Sequence, residues 1–165
     1  MRANRRSVAV IFMMSIVAGC GGNAGEDSPQ QATVLTAATL GEQANLSTSE
    51  YLANSPYVTA DMDNGAAQAQ ICRACHSLDQ GGPTLIGPNL FGMFGRPAGA
   101  RDDYEYSESL AAAGFIWTPR ALEAWLAEPA RFLPGNRMTF AGVLDAKNRV
   151  DVVAYLLQVT DDTEK

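Results

Sequence analysis

The stretch CRACH at residues 72–76 constrains this chain more than any other part of its sequence. The two thiols of Cys72 and Cys75 can each add across a vinyl group of a haem, and His76, directly after the second thiol, can bind the iron. A zinc site needs four ligands, whereas the chain has one His and three Cys. A thioredoxin-like redox pair follows a strand, but the residues before this motif have a helical pattern. The motif therefore predicts one haem c, covalently attached through Cys72 and Cys75.

The other axial ligand of such a haem cannot be a second histidine, because His76 is the only one in the chain. Met62, Met93 and Met138 are the methionines outside the N-terminal leader. Met62 precedes the motif, and Met93 lies in an apolar run typical of core packing. Met138 follows the stiff loop LPGNR at residues 133–137 and lies 62 residues past His76, far enough to reach the opposite face of a haem. These features favour Met138 and leave the other two open.

The first 20 residues have the organisation of an export signal. A basic start with three arginines precedes an apolar run of 11 residues at 8–18, which is too short to span a bilayer. The following VAGC resembles a bacterial lipobox, in which the peptidase cuts before the cysteine and the thiol receives a lipid. We therefore expect residues 1–19 to be a signal peptide and Cys20 to be lipidated, which places the protein on the periplasmic side of a bacterial membrane. The alternatives are a soluble periplasmic protein with a spare Cys20, or a retained anchor.

Acidic side chains outnumber basic ones in this chain. The whole sequence has 18 acidic and 12 basic residues, and three of the basic ones lie in the predicted signal peptide. A nucleic-acid-binding protein needs the opposite balance, so nucleic acid is excluded as a partner.

The segment after the predicted lipid site differs in composition from the rest. Residues 20–63 carry six carboxylates and no basic side chain, amid small and polar residues, which is typical of a solvated segment. We expect residues 20–60 to form a lipid-anchored, flexible acidic tether. The alternative is a loosely packed arm with helical turns near Glu50 and Tyr57. Residues 61–165 have the composition and size of a small globular haem domain.

Helical signals and turn residues alternate through this domain, and no stretch requires a β-sheet. Apolar residues repeat with helical spacing in the last segment, and Thr118 followed by Pro119 is typical of an N-cap and first helical residue. Helices are expected near residues 61–72, 89–94, 105–113, 119–128 and 146–157. The predicted fold class is all-α.

Two further motifs resemble the mitochondrial-type class I cytochrome c family. Residues 87–96, GPNLFGMFGR, are similar to a stretch that follows the haem motif in that family. Residues 129–142, which include PGNRMTFAG, are similar to its methionine-ligand loop. Together with the haem motif they cover nearly all of residues 64–165. The resemblance implies the class I cytochrome c fold, in which helices and loops wrap around one covalently bound haem and the first and last helices cross.

The resemblance also implies roles for individual residues. His76 would be the proximal and Met138 the distal ligand of the iron, with the Pro88 carbonyl bonded to the far ring nitrogen of the histidine. Trp125 stands where a tyrosine near the methionine sulfur is common, so that contact is left open. Four side chains match positions that bind the haem propionates, namely Arg96, Tyr106, Trp117 and Asn136.

Ligation by an imidazole and a thioether leaves no open position on the iron and holds its potential high. This predicts a monohaem one-electron carrier between membrane redox complexes, and not an enzyme. A quinol-oxidising complex or dehydrogenase would be the donor, and an oxidase, peroxidase or photosynthetic centre the acceptor. The alternative is a cytochrome subunit held permanently in a dehydrogenase or terminal oxidase. Lysines are few, so Arg73, Arg131 and Arg137 are expected to form a reduced positive patch for these partners.

Overall fold

The computed structural model describes residues 35–161. Within this range the chain is helical and has no β-strand, apart from a single bridge between Pro97 and Ile116. The α-helices are α1 (Thr48–Leu52), α2 (Met62–Gln68), α3 (Gln70–Arg73), α4 (Glu108–Ala111), α5 (Pro119–Ala127), α6 (Pro129–Phe132) and α7 (Ala146–Val159). Short 3₁₀ helices occur at Ala37–Thr39 and Tyr57–Thr59. None of the helices in the described range is long and apolar enough to cross a membrane.

Helices α5 and α7 begin where the sequence supplies capping side chains. Thr118 Oγ1 accepts a hydrogen bond from Ala121 N at 3.1 Å, and Pro119 occupies the first turn of α5. At the start of α7, Asp145 Oδ1 accepts from Asn148 N at 2.8 Å. The cap at Thr118 was predicted from Thr118 and Pro119, whereas the helix near residue 146 was predicted from the spacing of its apolar residues.

Helices α2 and α7 cross at Gly65. A Cβ atom at this position would lie 2.2 Å from the backbone oxygen of Asp151 and 2.9 Å from the Cβ of Tyr155, so a larger residue would force the two helices apart. The core beside the crossing is formed by α7, whose Val153 and Leu157 are fully buried. The crossing fixes the direction in which α2 and α3 lead into the haem motif.

A buried carboxylate ties the start of α2 to α7. Asp151 is 1% exposed and accepts hydrogen bonds from Asp61 N at 2.9 Å, Asn64 Nδ2 at 2.7 Å and Lys147 Nζ at 2.8 Å. Burial alone would raise the pKa of this carboxyl, but the bonds from the three donors outweigh it and lower the pKa below its ordinary value.

Residues 35–60 are folded onto the domain, which differs from the expected flexible tether. Leu40 is 1% exposed and Tyr57 is 8% exposed. The alternative of helical turns near Glu50 and Tyr57 matches this stretch, since α1 contains the first and a 3₁₀ helix begins at the second. The tether was predicted from the average composition of the segment, which does not show that a few of its apolar side chains, such as Leu40 and Tyr57, are buried. The predicted signal peptide, Cys20 and the rest of the segment before residue 35 lie outside the described residues.

The predicted helix at residues 89–94 is absent, and the stretch forms turns instead. Gly92, in the middle of the stretch, has a φ of 64°, a left-handed conformation that a right-handed helix does not contain. The side chain of Asn89, which is 3% exposed, donates to Asp79 O at 2.9 Å and Gly82 O at 2.8 Å and ties the start of the stretch to the preceding loop. Of the predicted helix at 105–113, only α4 is formed.

Replacing Asp151 by Asn should destabilise the protein and reduce its sensitivity to acid. A carboxyl with a lowered folded-state pKa stabilises the fold above its ordinary pKa of 3.8, and this contribution is lost as the pH falls through the folded value. We expect Asp151→Asn to cost roughly 1.5–3 kcal/mol at pH 7, the usual range for hydrogen bonds to a charged group. Urea unfolding at pH 7 and pH 3 measures the difference, which should shrink at the lower pH.

The matched control is Asp145→Asn at the N-cap of the same helix, where asparagine caps as well as aspartate and little change is expected. An unchanged stability of Asp151→Asn at both pH values would show that the buried carboxylate does not hold the helix crossing.

Candidate haem site

The haem motif starts in α3 and continues into the turn that follows. The backbone N–H groups of Cys75 and His76 both donate to Cys72 O, at 3.1 and 2.9 Å. Cys72 and Cys75 are half-buried free thiols. Burial raises the pKa of the Cys72 thiol. One turn of chain therefore presents two thiols and an imidazole together.

The His76 ring has one nitrogen engaged and one free. Its Nδ1 lies 2.7 Å from Pro88 O. A carbonyl oxygen only accepts, so Nδ1 donates, and Nε2 keeps its lone pair. Burial lowers the pKa of His76, opposed by the bond to Pro88, and favours the neutral ring that binds metals. Pro88 thus lies where the resemblance placed it.

Gly87 allows this close approach of loop and ring. A Cβ atom on Gly87 would lie 2.2 Å from His76 Cε1 and 2.6 Å from His76 Nδ1. The Gly87 N–H also donates to Cys75 O at 2.8 Å, which joins the loop to the motif. Gly87 was not predicted as a site residue, and its only signal is its position directly before Pro88.

Met138 is held at its backbone and at its sulfur. Its N–H donates to Asn136 Oδ1 at 2.9 Å. The indole Nε1–H of Trp125 donates to Met138 Sδ at 3.1 Å, so an indole supplies the contact that the sequence left open. A thioether has two lone pairs, and one remains for a metal. Met93, by contrast, is 6% exposed in the core, and Met62 opens α2.

The indole of Trp125 is fixed by other aromatic rings. It is 5% exposed and meets Trp117 edge to face at a centroid distance of 5.5 Å, and Phe132 at 5.9 Å. Such pairs restrict the ring plane, and the plane determines where the N–H points. The donor to the Met138 sulfur is therefore set in place by packing.

Three of the four predicted propionate-binding residues lie near one another. The backbone N–H of Trp117 donates to the backbone oxygen of Arg96 at 2.9 Å. Burial raises the pKa of the Tyr106 phenol, while the positive charges of Arg101 and Arg96 act in the opposite direction. A half-buried phenol and a guanidinium in one region are suited to bind carboxylates.

Asn136 has a different set of partners from the predicted contact with a propionate. Its Nδ2 donates to Pro129 O at 2.9 Å and to Leu133 O at 2.8 Å, and its Oδ1 accepts from Met138 N. Both amide hydrogens are used within the loop. Asn136 therefore braces the segment that presents Met138.

These donor atoms fit a haem c. The chain offers two free thiols, an imidazole with Nε2 available and a thioether with one lone pair available, which is the donor set of a covalently attached haem with histidine and methionine ligands. Partly buried apolar side chains, among them Leu90, Leu133 and Phe140, pack against the hydrophobic core as Met138 does and could cover a flat apolar group.

Comparison with known proteins agrees with this donor set. A family model described as Cytochrome c matches residues 62–160. The chain belongs to the cytochrome c family. The cytochrome c homolog of Rickettsia bellii is 41% identical over 104 residues, which cover 63% of this chain and 60% of that protein. The homolog of Rickettsia felis is 37% identical over 124 residues, 75% of this chain and 68% of that protein. Cytochrome c2 of Agrobacterium tumefaciens is 37% identical over 100 residues, 59% of this chain and 90% of that protein.

Family membership confirms two predictions. The class I cytochrome c fold is the all-α arrangement of α2 to α7. The cofactor is a covalently attached haem c, for which Cys72 and Cys75 supply the thiols.

Replacing Met138 by Ala should remove the sulfur ligand. Oxidised protein should show a weak near-infrared sulfur-to-iron band that disappears in Met138→Ala, and the variant should bind azide or carbon monoxide.

Trp125→Phe should keep the band but lower the reduction potential, since an N–H donor withdraws electron density from the sulfur and favours the reduced iron. Absorption spectra and redox titration measure both effects.

Met93→Leu is the control, because it changes a buried methionine outside the loop. If Met138→Ala keeps the band and Met93→Leu or Met62→Leu loses it, the ligand assignment is wrong.

Proposed function

We propose that this chain is a monohaem c-type cytochrome that carries one electron between membrane redox complexes on the periplasmic side of a bacterial membrane. The observation that carries the proposal is the pair of prepared donor atoms. His76 Nε2 is free because Nδ1 donates to Pro88 O, and Met138 Sδ is held 3.1 Å from Trp125 Nε1. If His76 and Met138 both bind the iron, the protein would leave no position on it for oxygen or peroxide.

The protein's part in electron transfer is to keep the surroundings of the haem constant. A haem with imidazole and thioether ligands exchanges one electron at a high potential with little rearrangement. Gly87 and Pro88 keep the His76 ring in one orientation, and Trp125 and Asn136 do the same for Met138. The rings of Trp117 and Phe132 pack against Trp125 and hold the indole that bonds to the sulfur. Such rigidity suits a carrier and not an enzyme, which needs an open coordination site.

The proposed donors are a quinol-oxidising complex or a dehydrogenase, and the proposed acceptors are an oxidase, a peroxidase or a photosynthetic centre. Electrostatic attraction to them is limited. Arg131 and Arg137 are about half exposed, yet each lies 3.8 Å from a carboxylate, of Glu128 and Glu105 respectively. Surface pairs of this kind leave only part of each positive charge available to a partner.

Reversing the charge of Arg131 should slow electron exchange with a partner. The measurement is the rate at which quinol-fed bacterial membranes reduce the purified protein, at ionic strengths from 0.1 to 1 M, where the Debye length falls from about 10 Å to about 3 Å. We expect Arg131→Glu to reduce the rate about two- to fivefold at low salt, with convergence to wild type at high salt and an unchanged visible spectrum.

Arg120→Glu is the matched control, since it makes the same charge change on the exposed side of α5. Equal slowing by both variants would mean that net charge and not the methionine loop governs docking. Salt-independent rates and co-purification with one complex would favour the permanently bound subunit.

The proposal includes attachment to the membrane through a lipid on Cys20. Support comes from the VAGC sequence and from the absence of any other role for that thiol. Only 15 peptide units separate Cys20 from residue 35, the first residue that the structure describes, so whatever their conformation they reach at most about 50 Å. Residue 35 would therefore stay within about 50 Å of the bilayer.

The lipid proposal predicts a blocked mature N-terminus at Cys20 and partition of the protein into detergent. Cys20→Ser should give an uncleaved or mislocalised protein with normal haem attachment, because the haem motif lies 52 residues further on. Mass spectrometry of the N-terminal peptide measures the modification. An unmodified chain that begins beyond residue 20 would instead make this a freely diffusing periplasmic cytochrome.

A further inference from the structure

The segment at residues 35–60, which we call the N-terminal arm, precedes the residues matched by the family model, 62–160. It is nevertheless part of the same core. Leu40 is 1% exposed and Tyr57 is 8% exposed, and both belong to the hydrophobic cluster that includes Trp125 and Phe132. The arm therefore adds a layer of contacts that the family domain alone does not contain.

The first contact is at the N-cap of α5. Thr118 is 2% exposed, and its Oγ1 accepts from Ala121 N at 3.1 Å. Its single hydroxyl proton is donated to Gln43 Oε1 in the arm. The residue that starts α5 is thus bonded on one side to the helix and on the other side to the arm.

The second contact is in the middle of the same helix. The Tyr57 hydroxyl donates to Glu123 Oε1. Burial, together with the hydrogen bond and negative charge of Glu123, raises the pKa of Tyr57, so the phenol stays protonated and remains a donor. Between the two contacts lies a cleft of about 490 Å³ lined by Pro119, Arg120 and both tyrosines of the arm. Two discrete polar contacts, together with the buried Leu40 and Tyr57, therefore hold the arm to the domain.

Helix α5 also carries the donor to the proposed axial ligand. Trp125, two residues after Glu123, donates to Met138 Sδ at 3.1 Å. A helix moves as a stiff rod over so short a distance, since 118 to 125 spans about 10 Å at 1.5 Å per residue. Movement of α5 at its arm contacts would displace the indole N–H from the sulfur.

We propose that the N-terminal arm braces α5 through Gln43 and Tyr57 and thereby positions the Met138 thioether through Trp125. Gln43 and Tyr57 are positioning residues, because they act on the sulfur through the helix. The inference rests on the proposed function insofar as Met138 is taken to be the iron ligand.

The test compares Tyr57→Phe with Tyr51→Phe in the full-length haem protein. Both changes remove one phenolic hydroxyl from the arm, but the Tyr51 hydroxyl donates to Ala44 O within the arm and does not bond to α5. We expect Tyr57→Phe to increase the rate of azide binding to the oxidised protein about fivefold, the equivalent of one hydrogen bond of about 1 kcal/mol, and to weaken the near-infrared band. Tyr51→Phe should change neither.

Exchange of the indole hydrogens separates bracing from general instability. The chain has two tryptophans, so the two indole signals can be followed one by one. Tyr57→Phe should accelerate exchange at Trp125 more than at Trp117. Equal acceleration at both indoles, or azide rates that match those of Tyr51→Phe, would overturn the brace.

The outcome for Met138→Ala keeps this inference separate from the proposed function. If that variant loses the near-infrared band while Tyr57→Phe is inert, only the brace fails. If Met138→Ala keeps the band, the ligand assignment fails, and the brace fails with it.

Discussion

The contact between α2 and α7 at Gly65 is the constraint on which the other features depend. Because a Cβ atom there would lie 2.2 Å from the backbone oxygen of Asp151, the two helices can approach this closely only at a glycine. The Asp151 carboxylate then joins the first residues of α2 to the middle of α7. Helix α3 continues from this crossing, so the position of the haem motif follows from backbone contacts some ten residues away.

The parts of the site that the sequence could predict are those in which chemistry dictates the residue type at a fixed spacing. The thiols of Cys72 and Cys75 and the ring of His76 are local in sequence, and a single histidine simplifies the ligand set. The helix start at Thr118 was predictable for the same reason, since a cap and its helix are neighbours.

The parts that the sequence did not predict depend on individual backbone conformations and side-chain contacts. The left-handed Gly92 interrupts the helix expected at residues 89–94, and Asn136 uses its amide hydrogens within the methionine loop. The folded arm was only the alternative to a flexible tether, because Leu40 and Tyr57 are isolated apolar residues in an acidic, polar segment without helical periodicity. None of these conformations or contacts can be read from the local pattern of residues in the sequence.

The replacement of a phenol by an indole beside the Met138 sulfur has a consequence for alkaline solution. A tyrosine hydroxyl loses its proton near pH 10, and a donor to the thioether is then converted into a negative charge. The indole N–H of Trp125 keeps its proton in water at any ordinary pH. It also has no lone pair with which to accept a hydrogen bond. The neighbour of the sulfur therefore keeps the same charge and the same donor across the whole range of pH in which the fold survives.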